Sequence, residues 1–255
     1  MRRLALLLLF ATSGVAQEIP VSDPTFEPQA VLDTAGIATS GDRFITVWGR
    51  GDNRGIFFSI TDLNGTLIRG PVTIALTGGH PAIGSGVSGS LVVWLDENSA
   101  YTATIDKDGN VGSRTLLISR PLLVSPSSVV WNGSRFLVLI RTAPAGVIGF
   151  VLGPNGEPLS GPLALSDWTA TAGADAAGFI VFAPVAVDPS HPEKGFTIQA
   201  RRIDSSGAVS TATPTTTEVV TGALPDVAAT GHLLSWHFGT RIAPCRDRLQ
   251  RRAAV

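Results

Sequence analysis

Five segments of this chain are variants of one strand: a turn residue such as Gly or Asn, a large apolar residue, then an alternating β-branched run. They read Ser40-Gly-Asp-Arg-Phe-Ile-Thr-Val-Trp48, Ser88-Gly-Ser-Leu-Val-Val-Trp94, Asn132-Gly-Ser-Arg-Phe-Leu-Val-Leu-Ile140, Ala177-Gly-Phe-Ile-Val-Phe-Ala183 and, more weakly, Ala229-Thr-Gly-His-Leu-Leu-Ser-Trp236. Their ends recur every ~45 residues, with a longer last step, and a fixed period of this length marks a stack of supersecondary units.

The first four repeats carry a second signal, a hairpin tip ending in Gly. The tips are Asp62-Leu-Asn-Gly65, Asp106-Lys-Asp-Gly109, Gly153-Pro-Asn-Gly156 and Asp204-Ser-Ser-Gly207. A chain reversing this tightly needs a positive φ, which Gly, Asn and Asp tolerate. Alternating strands flank the tips. A third element follows, beginning with Gly-Pro at Gly70-Pro71 and Gly161-Pro162. Proline lacks a ladder donor, so it fits an edge strand. Each unit therefore holds about four short strands, the content of one propeller blade. The expected fold is all-β, a β-propeller of about five four-stranded blades. A pair of β-sandwiches also has closely spaced strands, but the common register of the units favours the propeller.

The Gly-x-x-Phe-Leu-Val-Val-Trp type of strand followed by an Asp-x-x-Gly tip resembles the repeat of secreted bacterial β-propeller proteins. The resemblance covers residues 18–237 and implies fold and export, since most of that group has no assigned activity. The Val-Trp ending is lost at Ile140 and Ala183, and the fourth unit carries an insertion from Asp188 to Lys194.

The N-terminus reads as a signal peptide over residues 1–16: Arg2 and Arg3, the apolar run Leu4 to Ala11, then Gly14, Val15 and Ala16. That run falls short of the ~20 residues of a membrane span, so the expected location is secreted or periplasmic. The propeller is expected over residues 17–238. Its blades fall near 35–76, 80–119, 126–167, 172–216 and 225–238, with residues 18–22 as an added strand. Ile19-Pro-Val-Ser22 resembles Pro71-Val-Thr-Ile74 and reads as an outer strand of the last blade. After Trp236 the pattern stops, and residues 239–255 form an arginine-rich tail. The last blade is thus expected to be incomplete, or the ring imperfectly closed.

The net charge of −1, with 15% charged residues, offers no electrostatic case for nucleic acid. The single cysteine, Cys245, leaves no internal disulfide to support the fold. No cofactor or metal motif is present. His80, His191, His232 and His237 show no metal-ligand spacing. Asp106-Lys-Asp-Gly-Asn110 has the opening of a calcium loop without its later acid, and its sister units identify it as a hairpin tip. Ser85-Gly-Val-Ser-Gly89 precedes a strand, not the helix of a nucleophile elbow. No catalytic set emerges.

The candidate binding residues lie after the repeated strands, where a propeller gathers its loops: Arg50, Asp52, Asp96, Glu97 and Arg141, with Trp168 as an aromatic contact. These read as a mixed polar rim. The expected function is a non-enzymatic scaffold for a protein or glycan. The alternatives are a glycoside- or lactone-type hydrolase with its site at the propeller channel, and a truncated propeller fragment without activity. A channel lined by Ala, Val and Ser favours the scaffold; converging charges at its mouth favour the enzyme.

Overall fold

The structure, a computed structural model, describes residues 32–51, 54–144, 146–211, 213–214, 226–230 and 233–237. The signal segment 1–16, the strand expected at 18–22, Asp52, His232 and the tail 239–255 with Cys245 lie outside them.

Four antiparallel four-stranded sheets follow one another along the chain. The first holds β1 (Leu32–Ser40), β2 (Arg43–Arg50), β3 (Ile56–Asp62) and β4 (Leu67–Ala75). The second holds β5 (Gly79–Ser85), β6 (Gly89–Asp96), β7 (Ser99–Asp106) and β8 (Thr115–Ser119). The third comprises β9 (Leu123–Trp131), β10 (Phe136–Thr142), β11 (Val147–Leu152) and β12 (Pro158–Ser166). The fourth comprises β13 (Thr171–Asp175), β14 (Gly178–Ala186), β15 (Phe196–Ile203) and β16 (Thr213–Pro214). A two-stranded fifth unit pairs β17 (Asp226–Thr230) with β18 (Leu233–His237). The sole helical piece among the described residues is a 3-10 turn at Pro192–Lys194.

In every sheet the strands pair in chain order. The first strand of each sheet packs beside the first strand of the next: β1 by β5, β5 by β9, β9 by β13 and β13 by β17. Sheets joined through their first strands radiate from a shared axis, so the molecule is a β-propeller with these strands innermost. Among the described residues the fifth unit contributes two strands and the ring is not closed.

The core lies between blades. Strand alternation sends successive side chains to opposite faces. On β2, Ile45 and Val47 turn toward the second blade, where they meet Val92, Trp94 and Ile105. On β6, Leu91, Val93 and Leu95 turn the other way and pack with Phe136, Val138 and Ile140 of the third blade. Leu137 and Leu139 then meet Phe179 and Val181 of the fourth. The central strands are apolar on both faces because each serves two junctions, as their nearly unbroken burial shows. Each fully buried Leu, Val or Phe contributes about 1.5–3 kcal/mol relative to exposure.

The tips share one construction. In each, the glycine N–H donates to the carbonyl three residues back, and the glycine takes φ between 79° and 90°. Asp62 accepts the backbone N–H groups of Asn64 and Thr66 at 2.9 and 2.8 Å. Asp106 does the same for Asp108 and Asn110, and Asp204 for Ser206 and Ala208. The third blade has Gly153 in place of the aspartate, and there Glu157 reaches back to the N–H of Asn155 at 3.0 Å. Asp106 is thus engaged in turn hydrogen bonds, including one from the Asn110 side-chain amide at 2.9 Å.

Candidate functional site

The up-and-down path sorts the connections onto two ends. The glycine tips lie at one end. At the other gather the second-to-third-strand turns and the links to the next blade, at 76–78, 120–122 and 167–170. Arg50, Asp96, Glu97, Arg141 and Trp168 all belong to this second end.

Their environments differ. Arg50 and Arg141 are exposed at or near the ends of β2 and β10. Glu97 forms the β6–β7 turn at a φ of 53° and is exposed. Asp96 is held on two sides: it accepts a 2.8 Å hydrogen bond from Thr77 Oγ1 and an ion pair from Arg114 Nη2 at 2.8 Å. Arg114 also lies 3.5 Å above the ring centroid of Tyr101, a cation–π contact. Asp96 and Glu97 are adjacent and do not face each other as a catalytic pair.

Trp168 is half-buried and meets Phe196 edge-on, with centroids 5.5 Å apart. Its backbone N–H donates to Ser166 Oγ at 3.1 Å. The indole lines a cleft of about 340 Å³ between the third and fourth blades. Asp167 borders it on the same connection, and Pro184, Gln199 and Arg201 line it from the fourth blade. The side chains of Gln199 and Arg201 engage no partner among the described residues. Pro189, from the insertion peculiar to the fourth unit, adds a wall. That insertion is braced by a 2.6 Å ion pair between Lys194 and Asp188 and by the Val187 N–H bonded to the Gly195 carbonyl. The sequence singles out Trp168 alone among these, and the structure sets Gln199 and Arg201 beside it. Their only signal is their alternate spacing on β15, which carries both to one face.

The axial channel is different. It is an open space of about 580 Å³ lined mainly by the innermost strands, with Ile37, Ile83, Val129 and Ala172 beside Thr39 and Ser85, and by Phe44 of β2. No ionisable side chain stands in this lining among the described residues. No trio of His, Cys, Asp or Glu gathers as a metal site among the described residues, and no described helix is long and apolar enough to cross a membrane.

No family model matches the chain, and no curated protein matches it in sequence. Similarity appears among solved structures. The β-propeller domain of the Trilobed protease from Pyrococcus furiosus aligns at a TM-score of 0.47 and 12% identity, over 79% of this chain and 60% of that one. The GH43 endo-arabinanase from Bacillus licheniformis aligns at 0.45 and 11%, over 81% and 87%. The catalytic domain of the Coprinopsis cinerea GH62 alpha-L-arabinofuranosidase aligns at 0.43 and 9%, over 74% and 70%. At these identities and scores, the activity of each protein stays with that protein.

Proposed function

We propose that this protein is an exported, non-enzymatic scaffold that takes a protein or glycan partner at the rim between its third and fourth blades. The observation that carries the reading is the cleft beside Trp168. There an indole, a guanidinium and a carboxamide line one cavity, and the two polar groups engage nothing else described. Concave sites with an apolar body and a few convergent polar groups are the usual form of a binding site. Aromatic and arginine side chains carry most of the energy at such contacts. The uncharged channel lining supports placing the contact at the rim. Export is supported by Arg2, Arg3 and the apolar run behind them.

The test is a glycan array and an immobilised-protein screen on the full chain, repeated with Trp168→Ala and Arg201→Ala. Each substitution is expected to weaken capture of the recovered ligand by about tenfold or more, the scale of a contact worth at least ~1.4 kcal/mol. The melting midpoint should stay close to that of the parent. Undiminished capture by both variants would refute the cleft as the contact.

A further inference from the structure

The cleft beside Trp168 is a blade junction left unfilled. The second and third strands of the second, third and fourth blades pair in one register, and residues paired across strands share a face. At the pair that ends the repeated strand, the second blade has Trp94 with Tyr101, the third Ile140 with Ile148, and the fourth Ala183 with Gln199. Two residues earlier on that strand the pairs are Val92 with Ala103, Val138 with Phe150, and Val181 with Arg201. In the second and third blades all of these side chains pack into the junction with the preceding blade. In the fourth, Val181 alone of the four joins the apolar cluster. The ring volume of Trp94 and Tyr101 thus has no counterpart between the third and fourth blades, and the space left there is the cleft of about 340 Å³.

Two polar side chains therefore stand where the sister blades place apolar ones. Arg201 is half-buried, and its guanidinium engages no partner among the described residues. Its neighbour Arg202, on the other face, is committed to Asp175 at 2.7 Å. Asp167 borders the same cleft but is exposed and forms no ion pair with Arg201. Withdrawing a cation from water without a counterion is costly, and an incoming anion removes that cost. A carboxylate matches the guanidinium fork with two parallel hydrogen bonds.

Size and lining select the rest of the ligand. A cavity of this volume is on the scale of small-ligand sites, roughly 300–1,000 Å³, whereas a standard protein interface spreads over about 800 Å² of each partner. The indole of Trp168 offers a ring face of negative potential to polarised C–H groups. The Gln199 carboxamide both donates and accepts, as a hydroxyl does. A pyranose presents a C–H face and hydroxyls together, while a plain aromatic ring leaves Gln199 unused. We infer that the cleft takes a uronic acid residue of an acidic glycan, with its carboxylate on Arg201, its ring on Trp168 and a hydroxyl on Gln199. The inference rests on the cleft being the contact site and adds the class and charge of the ligand.

Calorimetric titration of the full chain with digalacturonic acid, and with galactobiose of the same linkage as its uncharged counterpart, tests the inference. The acid should bind about tenfold more tightly or better. Arg201→Gln should erase that preference by weakening the acid alone. Ala183→Trp, which restores the repeat's own residue, should abolish binding of both sugars while the melting midpoint stays at or above the parent's. If that variant misfolds, Arg201→Gln still decides, since it alters only a half-buried polar position. Equal affinity for the two sugars, or an unchanged preference in Arg201→Gln, would overturn the inference and leave the cleft standing as a contact. Tighter binding of indole-3-acetate would overturn it in favour of an aromatic acid, and tighter binding of hexaglutamate in favour of an acidic peptide. Failure of digalacturonic acid to bind would overturn it as well; the Trp168→Ala comparison in the ligand screen then decides separately whether the cleft is a contact at all.

Discussion

Gly109 at the tip of the second blade lies against Ile60 of the first: a Cβ at Gly109 would stand 3.0 Å from Ile60 Cδ1 and 2.8 Å from Arg69 Cδ. Gly65 has the same left-handed conformation and no such neighbour among the described residues. The two positions separate conformational cost from packing cost. Gly65→Ala should lose about 1–2 kcal/mol, the cost of holding a side chain in that conformation. Gly109→Ala should lose that and about 1 kcal/mol more, because Ile60 and Arg69 must shift. Urea denaturation of both variants measures the difference; equal losses would mean that the tip does not latch neighbouring blades.

Acid should weaken the tips and one side brace. Backbone hydrogen bonds from Thr66 and Asn110 hold the carboxyls of Asp62 and Asp106 below their ordinary value. The Ser206 hydroxyl leads the same effect at Asp204, and the Arg202 guanidinium at Asp175. A lowered folded-state pKa gives stability that is present above the unfolded value, ~3.9 for aspartate, and lost as pH falls through the folded value. Urea midpoints should therefore hold from pH 7 down to about 4 and then drop. Asp106→Asn keeps an acceptor but not the titration, so its acid loss should be smaller than the parent's. An unchanged pH profile in that variant would rule out Asp106 as a contributor.

The parts of this fold that were legible in the sequence are those dictated by local chemistry. The tips announced themselves through glycine and aspartate, because few other residues make that turn. The second strands showed through Phe-Ile-Thr-Val-Trp48 and its relatives, since a strand serving two junctions must be apolar on both faces. The Gly-Pro elements lie on β4 and β12, both outermost, as a missing ladder donor requires. Contacts between distant positions were not legible. Arg114 reaches Asp96 across the β7–β8 hairpin, and nothing near either residue signals the pairing. The cleft joins Trp168 to Arg201 across two blades, a meeting that only the radial arrangement creates. Trp168, read as an aromatic contact, is half-buried with Phe196 beside it, a neighbour that local sequence does not announce.

Gly78 and Trp94 provide a core test. A Cβ at Gly78 would lie 2.6 Å from Trp94 Cδ1 and 2.7 Å from the Leu95 carbonyl oxygen, at a φ of 109°. The backbone oxygen cannot give way as a side-chain end does. Gly78→Ala should therefore cost about 2–4 kcal/mol, combining overpacking with backbone strain. It should also change the near-ultraviolet circular dichroism of the indole. Trp94→Ala should cost about 3–5 kcal/mol through the void it leaves. A Gly78→Ala variant with the parent's midpoint and spectrum would contradict the close approach.

Asp96 divides the rim candidates into braces and contacts. Its carboxylate already holds Thr77 and Arg114, and Arg114 is committed to the Tyr101 ring. Releasing Asp96 to a ligand would leave Arg114 stacked but unpaired. Asp96→Ala and Arg114→Ala should each lower stability by roughly 1 kcal/mol, with a coupling below ~1 kcal/mol in the double mutant, as for a partly exposed pair. Arg114→Ala should cost slightly more, since it also removes the cation from Tyr101. Neither change touches the cleft between the third and fourth blades, so ligand capture there should match the parent while Trp168→Ala loses it. Capture that falls with Asp96→Ala as steeply as with Trp168→Ala would move the contact to the second blade and make the carboxylate a ligand group instead of a brace.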